Sequence, residues 1–296
     1  MVEFSIIMNC YNCEKYLKQA IESALFQSYT NFEIIFWDNQ SNDKSAKIVK
    51  SYKDERIHYN LAENFTPLGE ARNLAIDKAK GKWIAFLDCD DIWDKHKLSI
   101  VSKELQQSPY KDISLIYSKS HIINTKDEVT SNHDYLISGN IYTELLKKEN
   151  FIVFSSIIIK KEILISSGKI NATLQYCPDY ELLLKITKEH NTIGINEYLT
   201  FYRVHDTNIT STKLFENNVE VIQMLKHFQK TNTINFFLKA HIFFNNSYRT
   251  GTTVIKLFLK NELQNSFIFL KNYFVLFLFF PIALVINLIK RKKYDS

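Results

Sequence analysis

Trp83-Ile84-Ala85-Phe86-Leu87-Asp88-Cys89-Asp90-Asp91-Ile92-Trp93 runs from an apolar, strand-like segment straight into three carboxylates within four positions. Carboxylates crowded at the end of a buried strand repel one another and lose hydration, a cost that a cation among the oxygens removes. Hard divalent ions such as Mg²⁺ and Mn²⁺ prefer carboxylate and phosphate oxygen, so the turn suits a metal that holds a diphosphate. The competing reading is a helix N-cap, with Asp91 or Asp94 capping a helix that begins near Trp93.

Working outward, the first half of the chain alternates strand and helix signals. Phe4-Ser5-Ile6-Ile7-Met8 reads as a short buried strand, followed by a helix over 14–27 with Leu17, Ala20, Ile21, Ala24 and Leu25 at helical spacing. Phe32-Glu33-Ile34-Ile35-Phe36-Trp37 is a second strand, closed by the polar run Asp38-Asn39-Gln40-Ser41-Asn42-Asp43. A helix to about residue 52, a strand at 56–59 and a helix over 69–80 with Gly81 as its stop signal come next. The strand at 83–87, a helix over 95–106 and a strand at 113–117 complete the series. Repeated βα units predict an α/β fold, a mostly parallel twisted sheet covered by helices. In such sheets ligands bind beyond the carboxyl ends of the strands, where residues 9–12, 38–42 and 88–91 all fall. No GxGxxG follows the first strand, which disfavours a dinucleotide-binding enzyme.

Composition narrows the class. The chain has 296 residues, 46% of them apolar and 23% charged, as in a folded globular protein. Its net charge of +5 comes partly from the terminal Lys290-Arg291-Lys292-Lys293 run. No basic stripe interleaves with aromatics, so nucleic acid is not indicated. The four cysteines give no disulfide framework. Cys10-Tyr11-Asn12-Cys13 has C-x-x-C spacing, but no second pair or His cluster goes with it, and it reads as small buried thiols in a reducing compartment. The first apolar stretch is too short for a cleavable signal peptide.

Four ordered motifs carry a family resemblance: Ser5-Ile6-Ile7-Met8-Asn9-Cys10-Tyr11-Asn12, Trp37-Asp38-Asn39-Gln40-Ser41-Asn42-Asp43, Leu68-Gly69-Glu70-Ala71-Arg72-Asn73 and Phe86-Leu87-Asp88-Cys89-Asp90-Asp91. Together they resemble the family 2 glycosyltransferases of GT-A fold, strongly over 1–120 and more loosely over 150–210. The resemblance implies transfer of a sugar, with inversion, from a nucleotide-diphosphate donor that is usually a UDP-sugar. It places Asp38 on the nucleotide base and Tyr11 against the uracil ring. Arg72 goes to the base or diphosphate, where a guanidinium suits phosphate oxygen. Each residue also has an ordinary reading: a turn Asp bonding its own backbone, core packing, and a solvated helix charge.

Asp88 and Asp90 match the DXD motif. The resemblance puts Asp88 near the ribose or a metal-bound water and Asp90 on the divalent ion (Mn²⁺ or Mg²⁺), with Asp91 supporting them. Asp179, in Tyr176-Cys177-Pro178-Asp179-Tyr180-Glu181-Leu182, resembles the family's base for the acceptor hydroxyl, although Pro178 stands where an acidic residue is common. It is equally suited to cap the helix over 180–190. His205, in Tyr202-Arg203-Val204-His205, resembles a late motif whose His approaches the diphosphate and metal; a lone His is otherwise usually structural.

The remaining residues change character. Residues 1–212 read as the catalytic domain, with nucleotide-sugar binding over 1–120 and the acceptor side and base over 121–212. A helical appendage follows over 213–265. A hydrophobic tail over 266–296 is apolar but interrupted by Pro281, marginal for a span and ending in basic residues. Such a tail fits peripheral or monotopic attachment to the cytoplasmic face of the inner membrane, its lysines on anionic lipid. The expected acceptor is a growing surface glycan: lipopolysaccharide, capsule or a lipid-linked oligosaccharide. The rival classes are a sugar nucleotidyltransferase, which normally carries a Gly-rich basic phosphate loop, and a non-catalytic nucleotide-sugar-binding subunit.

Overall fold

A computed structural model describes residues 2–208, 212–259 and 263–294, with side chains left aside at 263 and 289–294. The chain divides into two compact units: residues 1–145 with 150–205, and residues 146–149 with 206–296.

The first unit is built on a nine-stranded sheet. Its elements begin β1 (Phe4–Cys10), α1 (Leu17–Leu25), β2 (Phe32–Asp38), α2 (Ser45–Ser51), β3 (Ile57–Leu61), α3 (Leu68–Lys78), β4 (Trp83–Phe86), β5 (Ile92–Trp93) and α4 (Lys97–Gln107). They continue with β6 (Ile113–Ile123), β7 (Val129–His133), α5 (Tyr142–Lys148), a 3₁₀ turn (Phe154–Ser156), β8 (Ile158–Lys160), α6 (Lys161–Ser166), α7 (Pro178–Glu189) and β9 (Asn191–Arg203). The order across the sheet is β3-β2-β1-β4-β8-β6-β9-β5, with β7 paired to β6.

The first four of these strands are parallel, as the βα repeats predict. Every residue of β2 and β4 is buried, the continuous apolar pattern of strands covered on both faces. Beyond β4 the sheet is mixed. β8 runs antiparallel to both β4 and β6, while β6 and β9 pair in parallel with register shifts. The expected α/β sheet covered by helices therefore holds, with unbroken parallel order only in its β3-β2-β1-β4 half. The helix expected over 95–106 runs from Lys97 to Gln107, and Ile92 and Trp93 ahead of it pair with Phe201 and Thr200 of β9.

Side-chain alternation sorts the sheet's two faces. Phe4, Ile6, Met8 and Cys10 of β1 join Ile34, Phe36, Ala85 and Leu87 in a core closed by Leu17, Ala20, Ile21 and Ala24 of α1. A buried polar knot ties α3 to the sheet. The Ser5 hydroxyl donates to Glu33 Oε1 at 2.6 Å, and the N–H groups of Lys80 and Gly81 donate to Glu33 Oε1 and Ser5 Oγ. Gly81 is more than a helix stop, since α3 ends at Lys78 and a Cβ on Gly81 would lie 2.5 Å from the Ser5 nitrogen.

The second unit holds α8 (Leu214–Thr231), α9 (Phe236–Leu259), α10 (Leu263–Asn272), α11 (Phe274–Leu278) and α12 (Phe280–Tyr294). Ile222, Phe269, Tyr273 and Leu276 form its core, so residues 266–296 are not set apart from the appendage as a separate tail. Pro281 falls in the first turn of α12, where a missing N–H costs nothing. Among the described residues, no helix is long and apolar enough to cross a membrane. The side chains of Lys290 to Lys293 lie outside the described residues.

Gly81→Ala is expected to destabilise the first unit by about 1–3 kcal/mol, the usual cost of forcing extra atoms into a packed backbone contact. Urea unfolding would check it; an unchanged midpoint would mean that the contact relaxes freely.

Candidate active site

The strand ends meet as the topology requires, with Cys10 opposite Asp38 in the β1–β2 register. Asp38 is fully buried, and both carboxylate oxygens are occupied: Oδ1 accepts from the Ser41 N–H at 2.8 Å, Oδ2 from the Tyr59 hydroxyl at 2.7 Å. The Ser41 bond is a local Asx turn that shapes the polar loop. Each oxygen keeps a second lone pair beyond these bonds. Tyr11 is 49% exposed and packs edge-to-face on Phe65, which is 58% exposed, with ring centroids 4.7 Å apart. This aromatic pair offers an apolar platform at the mouth of the strand ends. Phe65 carries no motif of its own, and sequence reasoning missed it.

Arg72 projects from α3 into the same region. It is 6% exposed, its guanidinium lies 4.1 Å from the Phe154 ring centroid, and its Nη2 donates to Asp88 Oδ1 at 2.6 Å. It is therefore no solvated helix charge.

The three acidic residues have separate environments. The Asp88 carboxylate is partly exposed and pairs with Arg72, while its N–H donates to Ser155 Oγ at 3.1 Å. Asp90 Oδ2 lies 2.9 Å from His205 Nε2, and the His205 ring stacks on Tyr16. Loss of hydration and the nearby Asp88 charge push the Asp90 carboxyl up, against the pull of His205. A cation between the two carboxylates would relieve this repulsion. Among the described residues, no group of three His, Cys, Asp or Glu ligand atoms closes around a point here. Asp90 and His205 would hold a hard divalent ion jointly with oxygens brought by a diphosphate ligand, the usual arrangement for Mg²⁺.

Asp91 is different. It is 1% exposed, Oδ2 accepts from the Ser155 hydroxyl at 2.5 Å, and Oδ1 accepts from the Arg203 N–H at 2.8 Å. It caps no helix; its bonds tie the acidic turn to β9 and to the 3₁₀ turn. The fully buried Lys97 ammonium lies nearby, donating to Thr200 Oγ1 at 2.8 Å and to the carbonyls of Ser155 and Ser156. Burial pushes the Asp91 carboxyl well up and the Lys97 ammonium well down, with the Asp91 charge opposing the shift on Lys97.

Arg203, fully buried, is the second residue the motifs left without a role. Its Nε donates to the Asp90 carbonyl at 2.8 Å, Nη1 to the Asn124 carbonyl and the Asp127 carboxylate, and Nη2 to Gln19 Oε1. The signal for it is its place two residues before His205 in the Tyr202-Arg203-Val204-His205 string.

Asp179 sits second in α7, after Pro178 at the first helical position, with Cys177 rather than Asp179 in the capping place. Asn150 Nδ2 donates to its Oδ2 at 2.8 Å. Burial is the largest influence on its carboxyl and pushes it up; the Arg72 charge pulls the other way and the Asp88 charge adds to the rise. Arg72, Asp88 and Asp179 thus share one electrostatic neighbourhood across α3, the acidic turn and α7.

A curled mixed sheet with a carboxylate pair at its central strand end defines a GT-A glycosyltransferase. Residues 5–166 match the model of glycosyl transferase family 2, and the chain belongs to that family. A UDP-Glc:alpha-D-GlcNAc-diphosphoundecaprenol beta-1,3-glucosyltransferase of Escherichia coli, WfgD, is 31% identical over 72% of this chain and 81% of its own length. The putative teichuronic acid biosynthesis glycosyltransferase TuaG of Bacillus subtilis is 29% identical over 71% of this chain and 82% of its own. Among solved structures, S. aureus TarS 1–349 in complex with UDP-GlcNAc superposes with a TM-score of 0.62 at 14% identity, covering 92% of this chain and 91% of that one. The mannosyltransferase PcManGT of Pyrobaculum calidifontis, in complex with GDP-Man and Mn²⁺, gives 0.63 at 13% identity over 92% and 75% of the two chains.

Asp91→Ala is expected to cost about 3–5 kcal/mol, the scale of breaking a buried charged network and stranding its donors. Asp90→Ala, at a half-exposed position, is expected to leave thermal unfolding close to wild type. Calorimetry on the two variants separates the structural carboxylate from the one free for a ligand; equal losses would refute the division.

Proposed function

We propose that this glycosyltransferase moves a sugar from a UDP-sugar to a hydroxyl of a lipid-linked glycan, with inversion at the anomeric carbon. The convergence of Arg72, Asp88, Asp90, Asp179 and His205 from four separate segments carries the reading. Two of these contacts, Arg72–Asp88 and Asp90–His205, already couple the acidic turn to α3 and to the segment after β9.

In this reading the Tyr11–Phe65 pair receives the uracil face, with Asp38 and its Tyr59 partner at the base edge. Asp88 takes the ribose side, and Arg72 pulls away from it to meet phosphate oxygen, a pairing for which a guanidinium is built. Asp90 and His205 hold a divalent ion, Mn²⁺ or Mg²⁺. When bound, that ion supplies Lewis-acid stabilisation of the charge on the departing diphosphate. Asp179 accepts the proton of the acceptor hydroxyl as oxygen attacks the anomeric carbon, and Asn150 orients the carboxylate. A carboxyl raised by burial is a stronger base than a solvated one, which suits it to the task.

The named substrates of the relatives support the acceptor class: WfgD and WfaP of Escherichia coli both act on a sugar diphosphoundecaprenol. The second unit supports attachment to a lipid surface, at the cytoplasmic face of the membrane where nucleotide sugars are made. Among the described residues, fifteen exposed large apolar side chains lie between Phe236 and Leu288, against ten in all of the first unit. Phe236 and Phe237 are 78% and 83% exposed, far beyond the scattered apolar exposure of ordinary soluble surfaces. A monotopic seat, with these side chains in one leaflet, satisfies them without a spanning helix.

A donor screen that follows UDP release with purified protein tests the chemistry. Turnover should require Mn²⁺ or Mg²⁺, and Asp90→Ala should lower it by about 10²–10³-fold, the scale of losing one electrostatic stabiliser. Asp179→Asn should keep donor affinity while kcat drops by about 10²–10⁴-fold. Donor affinity lost with it would overturn the base assignment. Because the base works only when deprotonated, kcat/KM should fall as pH drops through the raised Asp179 value, above the limb an ordinary carboxyl gives. Flotation with anionic vesicles tests the seat: the full chain should float, and Phe237→Glu with Phe267→Glu should sink. Equal flotation of the two proteins would remove the apolar seat from the proposal.

A further inference from the structure

The C-x-x-C pair gains a third member in the folded chain. Cys10 ends β1, Cys13 lies in the loop after it, and Cys89 stands between the two DXD carboxylates; all three are free thiols. β1 and β4 pair in parallel with Ile7 opposite Phe86, so Cys10 and Cys89 are each three residues past the same register point. Both therefore point into the core on the α1 side of the sheet, where they are 1% and 3% exposed. The three sulfur atoms lie within 4.8 Å of one another, and no other group of His, Cys, Asp or Glu ligands among the described residues is so assembled.

We propose that Cys10, Cys13 and Cys89 bind one borderline-soft cation of the zinc class as a structural site beneath the acidic turn. Thiolate sulfurs around tetrahedral Zn²⁺ sit about 2.3 Å from the ion, which puts them roughly 3.8 Å apart, so this cluster closes on an ion with small side-chain movements. The thiols bind as thiolates and release their protons to solvent. Ser41 Oγ lies 3.7 Å from the Cys10 sulfur. Cys13 is only half-buried, which leaves an entry path and a fourth position for water or the Ser41 hydroxyl. Soft sulfur ligands also sort the two metals, since Mn²⁺ and Mg²⁺ prefer the oxygens of the other face. Bound at Cys89, the ion would fasten the acidic turn to the end of β1 and hold Asp88 and Asp90 at a fixed spacing.

The test uses the reduced, chelator-treated full chain. Zn²⁺ affinity is read by competition with a chromophoric chelator, and Co²⁺ is added to look for thiolate-to-metal charge-transfer absorption. One ion per chain and a charge-transfer band are expected. Cys13→Ser, at the half-buried position, should keep the fold and weaken Zn²⁺ by more than the roughly 10–100-fold that losing a ligand's hydrogen-bond partner costs. Cys89→Ser should act in the same direction, and Cys177→Ser should change nothing. Asp90→Asn should retain the Zn²⁺ site while losing sugar transfer, which keeps this proposal separate from the assignment of the catalytic ion. Absence of the charge-transfer band, or an affinity that Cys13→Ser leaves unchanged, would show a cluster of hydrogen-bonded thiols and no metal site.

Discussion

A buried carboxylate organises this active site from behind. Asp91 has almost no contact with solvent, yet it receives the Ser155 hydroxyl and the Arg203 N–H and lies in the field of the buried Lys97 ammonium. Those partners come from the 3₁₀ turn, β9 and α4, elements far apart in sequence. Removing any one partner would strand a polar group in the interior at a cost of about 1–3 kcal/mol. The network therefore leaves the turn little freedom, and Asp88 and Asp90 inherit its rigidity. Arg203 reinforces the same lock by donating to the Asp90 carbonyl, so the backbone of the DXD segment is held from both sides.

Rigidity matters here because the useful carboxylates are unstable neighbours. Asp88 and Asp90 repel each other, and each has a partner from another element: Arg72 for Asp88, His205 for Asp90. In the proposed reading both partners turn to the incoming diphosphate or its metal. A site that begins with internal ion pairs and trades them for ligand contacts avoids exposing a bare charge at any stage. Asp179 lies in the same field, and its proton affinity is set by burial first and by the balance of Arg72 and Asp88 second.

The parallel half of the fold was legible in the sequence because β1, β2 and β4 are largely apolar runs and α1 has a clear apolar stripe. The mixed half was not. β8 is three residues long, and β9 alternates burial irregularly along thirteen residues with register shifts against β6, so neither has a clean period. The strand of Ile92 and Trp93 was missed, since two residues paired only with β9 have no local signature. For the site, motif order pointed to the candidate carboxylates, but not to which was buried. Burial of Asp91 depends on Lys97, Ser155 and Arg203, and Arg203 was passed over for the histidine two positions later. Asp38 shows the converse: the position stood out, while its capture by Ser41 and Tyr59 is a tertiary fact.

The parity of β-structure gives the acidic turn two functions at once. Successive residues at a strand end point to opposite faces. Asp88 accordingly faces Arg72 of α3, whereas Cys89 turns into the core beside Cys10 and the residues of α1. A one-residue slip would bury the carboxylate and expose the thiol. The turn can present charge on one side only because it is anchored on the other by side chains that need no water. In the second unit the same accounting runs in reverse. Phe269, Tyr273 and Leu276 close a core, while Phe267, Phe274 and Val275 beside them stay outside it. A helical stretch that is apolar on both sides within ten residues has more apolar surface than its own fold can cover. The remainder is the apolar surface that the proposed lipid seat would cover.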